Sequence, residues 1–163
     1  MNDVRLQRQA DGRLFAAAAA ELLRAGRAVR FVARGRSMRP FVREGDLLTV
    51  VPVRPAALRL GDLAFYETAG GALRVHRVLR ICRSTTRRLF FTRGDALTGP
   101  LERVSETRVL GKVIRLRRQT RVLAPGTVFR RQRGVVWAHC QTVRGTLGIQ
   151  AGRLRRWLRR AGG

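Results

Sequence analysis

Three scarcities bound this sequence before any motif is read. Of its 163 residues, two are cysteines, one is a tyrosine, and 10 acidic side chains face 35 basic ones. Cys82 and Cys140 cannot staple a small fold, so the chain must bury a core of its own and needs no oxidising compartment. No run approaches the ~20 apolar residues of a membrane span; the longest near the N-terminus, Leu14 to Ala20, stops at Glu21. A signal peptide is also not expected, because Asp3 and Asp11 occupy the place of a basic leader region. The expected location is therefore the cytosol, or the surface of a membrane without crossing it. Two histidines and two cysteines, far apart, offer no metal-ligand spacing, and no glycine-rich lysine loop cradles a phosphate. No metal and no cofactor is expected.

What is present is charge. The net +25 points to an anionic partner. Yet Lys112 is the sole lysine among the basic residues, and arginine accompanied by abundant Ala, Gly, Leu and Val reads partly as a bias of composition. An arginine-rich nucleic-acid-binding module is one reading of that charge. Few aromatics interleave with the arginines and no such module is visible, so nucleic acid is not the expected partner.

The chain divides into three parts: a helix in 1–27, a β domain over 28–118, and a basic helical tail over 119–163. Leu14, Ala18, Leu22 and Leu23 predict one apolar helix face, and Gly26 a stop. Residues 28–35 alternate Val29, Phe31 and Ala33 against arginines, as a strand does. Further strands are predicted over 47–53, 62–67, 72–82, 88–92 and 108–116. Gly45-Asp46, Gly61-Asp62, Gly70-Gly71 and Gly94-Asp95 punctuate them as turns. The fold class is mainly β: a small, partly closed barrel with an N-terminal helix and a helical tail. After Thr107 there is no acidic residue, and the segments 129–143 and 151–160 read as helices.

Candidate chemistry narrows by elimination. Of three serines, Ser84 falls in a polar hairpin tip and Ser105 in a charged loop. Ser37 sits in Gly35-Arg36-Ser37-Met38-Arg39-Pro40, a turn directly after a strand, where glycine permits close backbone approach and Pro40 stiffens the exit. A hydroxyl on such a turn can face a cleft while neighbouring N–H groups face a developing oxyanion. His76 stands mid-strand in Leu73-Arg74-Val75-His76-Arg77-Val78-Leu79, on the face of Arg74 and Val78. Its imidazole is the natural base for a serine near neutral pH. His139 and Cys140, as neighbours with diverging side chains, read as structural.

The order GRSMRP, REGDLLTV, LRLGDLAFYE, VHRVLRI, LFFTRGDA, VLGKV resembles the signal peptidase I superfamily across about residues 28–118. The VHRVLR box followed by Thr92-Arg93-Gly94-Asp95 is similar to the branch in which histidine replaces the lysine base. The resemblance implies Ser37 as nucleophile and His76 as general base. It implies an oxyanion site around Gly35 and Arg36, and a substrate lying extended beside an edge strand near Met38 and Pro40. Self-cleaving repressors share this fold but use a serine–lysine pair, and Lys112 falls in a closing strand instead. In the histidine branch an acid lies about six residues past the Gly-Asp turn. Leu101 occupies that place here, leaving Asp95, or less favourably Glu102, to orient His76.

The implied activity is cleavage of a leader or signal-type peptide after small residues. The implied partner is a peptide or precursor protein. A relative that keeps the fold as an interaction domain, without catalysis, is the rival that Leu101 sustains. In the tail, Leu154, Trp157 and Leu158 share a face among Arg153, Arg155, Arg156, Arg159 and Arg160, a pattern suited to an anionic membrane surface.

Overall fold

A computed structural model describes residues 3–84 and 87–123, with side chains from residue 12 onward. The expected tail helices, the arginines and tryptophan of 153–160, and His139 with Cys140 lie outside the described residues. The architecture is mainly β. One helix, α1 (Asp3–Arg24), precedes a single curled antiparallel half-barrel of eight strands. These are β1 (Val29–Val32), β2 (Leu47–Pro52), β3 (Leu63–Glu67), β4 (Leu73–Arg83), β5 (Arg88–Arg93), β6 (Glu102–Ser105), β7 (Val109–Arg118) and β8 (Arg121–Leu123). In space they run β1-β2-β7-β3-β4-β5-β6, with β8 beside β7. The sheet thus continues to Leu123, five residues past the expected end of the β domain at 118.

Period-two alternation sorts each strand between two cores. On β3, Leu63 and Phe65 join Val29, Leu48, Val50, Val113 and Leu116 beneath α1. Ala64 and Tyr66 join Val78, Phe90 and Val104 on the other side. The helix contributes Ala19, Ala20 and Leu23 to the first core. Burying Leu23 alone stabilises the docking by on the order of 2 kcal/mol. Of the predicted helix face only Leu23 is buried: Leu14 is 71% exposed, and Ala18 and Leu22 lie open at the surface. The small Ala19 and Ala20 let the helix backbone approach the sheet instead.

The loop connections repeat one device. In Arg43-Glu44-Gly45-Asp46 and in Arg59-Leu60-Gly61-Asp62, the arginine N–H donates to the aspartate carboxylate three residues on. The intervening glycine sits at φ +88 or +89, a left-handed conformation that L side chains resist. Each aspartate then reaches a cation on β7: Asp46 takes two bonds from Arg118, at 2.7 and 2.8 Å, and Asp62 meets Lys112 Nζ at 3.4 Å. Arg118 also donates to the Phe41 carbonyl. The exit of the Ser37 turn is thereby tied to the far end of β7.

Candidate active site

Ser37 lies five residues past the end of β1. Its turn is closed by the Arg39 N–H donating to Arg36 O and the Val42 N–H to Met38 O. The N–H groups of Gly35, Arg36 and Ser37 take no part in these turn bonds, and Gly35 holds φ +86. From the other side the Gly94-Asp95 loop clamps the serine: the Ala96 N–H donates to Ser37 O at 2.9 Å. A Cβ built on Gly94 would stand 2.4 Å from Ser37 O, so no side chain fits there. Glycine at 94 is a packing requirement of the serine turn.

Register places the second half of the site. Ala64 pairs with His76, Tyr66 with Arg74, Val78 with Thr92, and Thr92 with Glu102. Directly opposed residues share a face, so β3, β4, β5 and β6 deliver Tyr66, His76, Thr92 and Glu102 to the same side. There Tyr66 Oη lies 3.0 Å from His76 Nδ1, 2.6 Å from Glu102 Oε2 and 3.1 Å from Thr92 Oγ1. Glu102 Oε2 is 3.5 Å from Nδ1 and also accepts from Arg74 at 3.1 Å.

Counting protons in this network fixes the tautomer. Burial would raise the Glu102 carboxyl, but the bonds from Tyr66 and Arg74 outweigh it and hold the group below its usual value. Glu102 is therefore an anion and must accept the single phenolic proton. Tyr66 Oη is left as an acceptor, so Nδ1 of His76 carries a hydrogen and donates it. The phenol itself is pushed upward, by burial and then by Glu102, and stays protonated. Nε2 is left with its lone pair and, among the described residues, no partner. Burial depresses the His76 pKa below 6.5, partly offset by the Glu102 charge, with Arg74 pushing it down further. The ring is a neutral base at neutral pH.

Ser37 and His76 line one cleft of about 1030 Å³. Its apolar wall includes Phe31, Met38, Val42, Leu48, Phe65 and Val75. No hydrogen bond joins Ser37 to His76 among the described residues. Such contacts often tighten only when substrate is bound. Two strand edges border the cleft without a partner among the described residues. One is the outer edge of β1; the other is Leu73–His76, since pairing with β5 begins only at Arg77.

The expected sites divide accordingly. Gly35, Ser37, Met38 and His76 are brought to the cleft, whereas Arg36 and Pro40 do not line it and are exposed. The preference for Asp95 over Glu102 is corrected. Arg77 faces away from His76, and its Nε and Nη2 engage both oxygens of Asp95. Arg77 is 1% exposed, also donates to Gly61 O, and stacks 4.7 Å from the Phe41 ring. Asp95 is the counter-ion that this buried guanidinium requires. Glu102, joined to the ring through Tyr66, is the carboxylate beside His76. Tyr66, Thr92 and Arg77 escaped the sequence reading. The one available signal was that Arg77 shares its strand face with the apolar Val75 and Leu79, because a charge buried there demands a carboxylate nearby.

Lys112, held at Asp62, does not line the cleft. Among the described residues no cluster of His, Cys, Asp and Glu could hold a metal, and no helix is long and apolar enough to cross a membrane. No family model matches this chain, and no curated protein matches its sequence.

Proposed function

We propose that this chain is a serine endopeptidase of the signal-peptidase type, cleaving an extended leader-like peptide after small residues. The observation that carries the reading is the His76 ring. One nitrogen is committed to a Tyr66–Glu102 network, and the other is left with its lone pair and has no partner among the described residues, on a cleft that also holds Ser37. In the proposed reaction Ser37 Oγ attacks the peptide carbonyl while Nε2 removes its proton. Nδ1–H, braced by Tyr66 and the Glu102 anion, stabilises the imidazolium that forms. N–H groups of the 35–37 turn receive the oxyanion. The imidazolium then protonates the leaving amine, and water repeats the sequence to free the acyl group. The open edges of β1 and β4 supply main-chain hydrogen bonds to a peptide laid between them.

Cleavage of peptides with small residues before the scissile bond tests the proposal. Ser37→Ala and His76→Ala should each abolish it, and Lys112→Met should retain most of it. Retained cleavage in the serine variant, or loss in the folded lysine variant, would overturn the assignment. Full stability with no cleavage by any variant, wild type included, would favour the non-catalytic interaction domain that Leu101 first suggested.

A further inference from the structure

The outer side of α1 is more apolar than that of a usual surface helix, with the exposed carboxylate of Glu21 set among its apolar residues. Leu14 is 71% exposed, and Phe15, Ala17, Ala18, Leu22 and Ala25 are exposed with it. The stripe meets the cleft, which Phe15, Val32 and Leu97 all line, Val32 and Leu97 being 54% and 43% exposed. Five of the eight large apolar side chains left open in the described residues belong to this one surface. Arg13, Arg24, Arg27, Arg30 and Arg34 are exposed along α1 and the chain that follows it, Arg24 pairing with Glu67 at 3.2 Å.

From this pattern we propose that the outer face of α1 and the adjoining rim of the cleft form a docking surface for an anionic lipid bilayer. The helix would lie in the plane of the interface with its leucines among the acyl chains and its arginines at the headgroups. An apolar stripe bordered by arginine is the composition of such interfacial helices. Charge selects this occupant over two others. A second copy of a chain carrying +25 is repelled, and the segment from 124 to 163 is itself basic with no acidic residue. Docking on α1 brings the cleft mouth to the bilayer surface, since Gly12, Arg13, Phe15 and Ala16 line the cleft. The inference does not depend on the peptidase reading.

The test uses the full chain and vesicles of phosphatidylcholine with or without phosphatidylglycerol. Co-sedimentation should require phosphatidylglycerol and weaken as salt rises, because part of the attraction is screened charge. Leu14→Ser with Leu22→Ser keeps the net charge and should lower partitioning about tenfold or more, by removing buried methyl and methylene groups from the acyl region. Leu60→Ser with Val122→Ser alters two equally open side chains elsewhere, 59% and 58% exposed, and should change little. Thermal melting establishes that each variant is folded. Should the leucine pair destabilise the domain, Phe15→Ser with Leu97→Ser at the rim provides the same comparison. Binding unaffected by either set would assign the membrane contact elsewhere in the chain and overturn the proposal. So would binding to polyglutamate without binding to anionic vesicles.

Discussion

Replacing Glu102 by glutamine isolates the group that the site relies on. The side chain keeps its size and can still accept from Tyr66, but the negative charge 3.5 Å from Nδ1 is gone. Burial already depresses the His76 pKa, and Glu102 is the largest influence opposing it. An opposite charge at this distance shifts a pKa by about 1–3 units. Glu102 is partly exposed, so solvent screens some of its effect, and the variant should titrate lower than the wild type. Imidazole nitrogen NMR reads both quantities at stake, the titration and the tautomer. Wild-type His76 should titrate below 6.5 with the hydrogen on Nδ1. Asp95→Asn should lower the pKa less, because Asp95 is engaged with Arg77. The consequence for catalysis carries a definite sign. Activity needs the neutral ring, so it rises with pH through the folded pKa and is level above it. Losing Glu102 moves that rise to lower pH while lowering the plateau by about 10²–10⁴-fold, as the imidazolium loses its counter-charge. A His76 pKa above 6.5 in the wild type, or one unchanged by Glu102→Gln, would refute the reasoning.

Other outcomes follow from the same geometry. Gly94→Ala drives a methyl into the Ser37 carbonyl at 2.4 Å. A displacement of the serine by 1 Å should cost about 10²-fold in kcat/KM, while the His76 titration stays as it was. Equal activity in this variant would show that the clamp is not what sets the serine. Asp46→Asn removes a 2%-exposed carboxylate that binds Arg118. Burial raises the Asp46 pKa, but the Arg118 and Arg43 bonds prevail and leave it below 3.8. Its contribution is therefore fully present above that value and lost as pH falls through the folded pKa. Denaturant unfolding at neutral pH should show a loss of about 2 kcal/mol, discounted because Arg118 is partly exposed. That difference should shrink in acid, and a constant difference at all pH would contradict the ion-pair account.

Much of the sheet was legible because its strands alternate strongly. Residues 28–35, 47–53, 62–67, 72–82, 88–92 and 108–116 all contain strands in the structure. β6 was not legible: Glu-Arg-Val-Ser at a sheet edge carries one apolar side chain, too few to announce a period of two. Its omission had a direct cost, because β6 is what carries Glu102 to Thr92 and so to the histidine face. The hairpin that joins the His76 strand to β5 was anticipated, and it does return the Gly94-Asp95 turn to β4. The turn arrives beside Arg77, however, and one residue along a strand is the opposite face. The helix misled in a similar way. Leu14 and Leu22 mark an outward stripe, while the approach to the sheet went to Leu23 together with Ala19 and Ala20, and a size-weighted reading ranks alanines last.

The central claim is that Ser37 is a nucleophile activated by His76, and a serine-directed fluorophosphonate probes it without knowledge of the substrate. Intact-mass measurement and peptide mapping should find one adduct, on Ser37, in the wild type. Folded His76→Ala and Glu102→Gln variants should label far more slowly, and Lys112→Met at the wild-type rate. Labelling at Ser84 or Ser105 as fast as at Ser37, or a Ser37 adduct formed equally well without His76, would contradict the account.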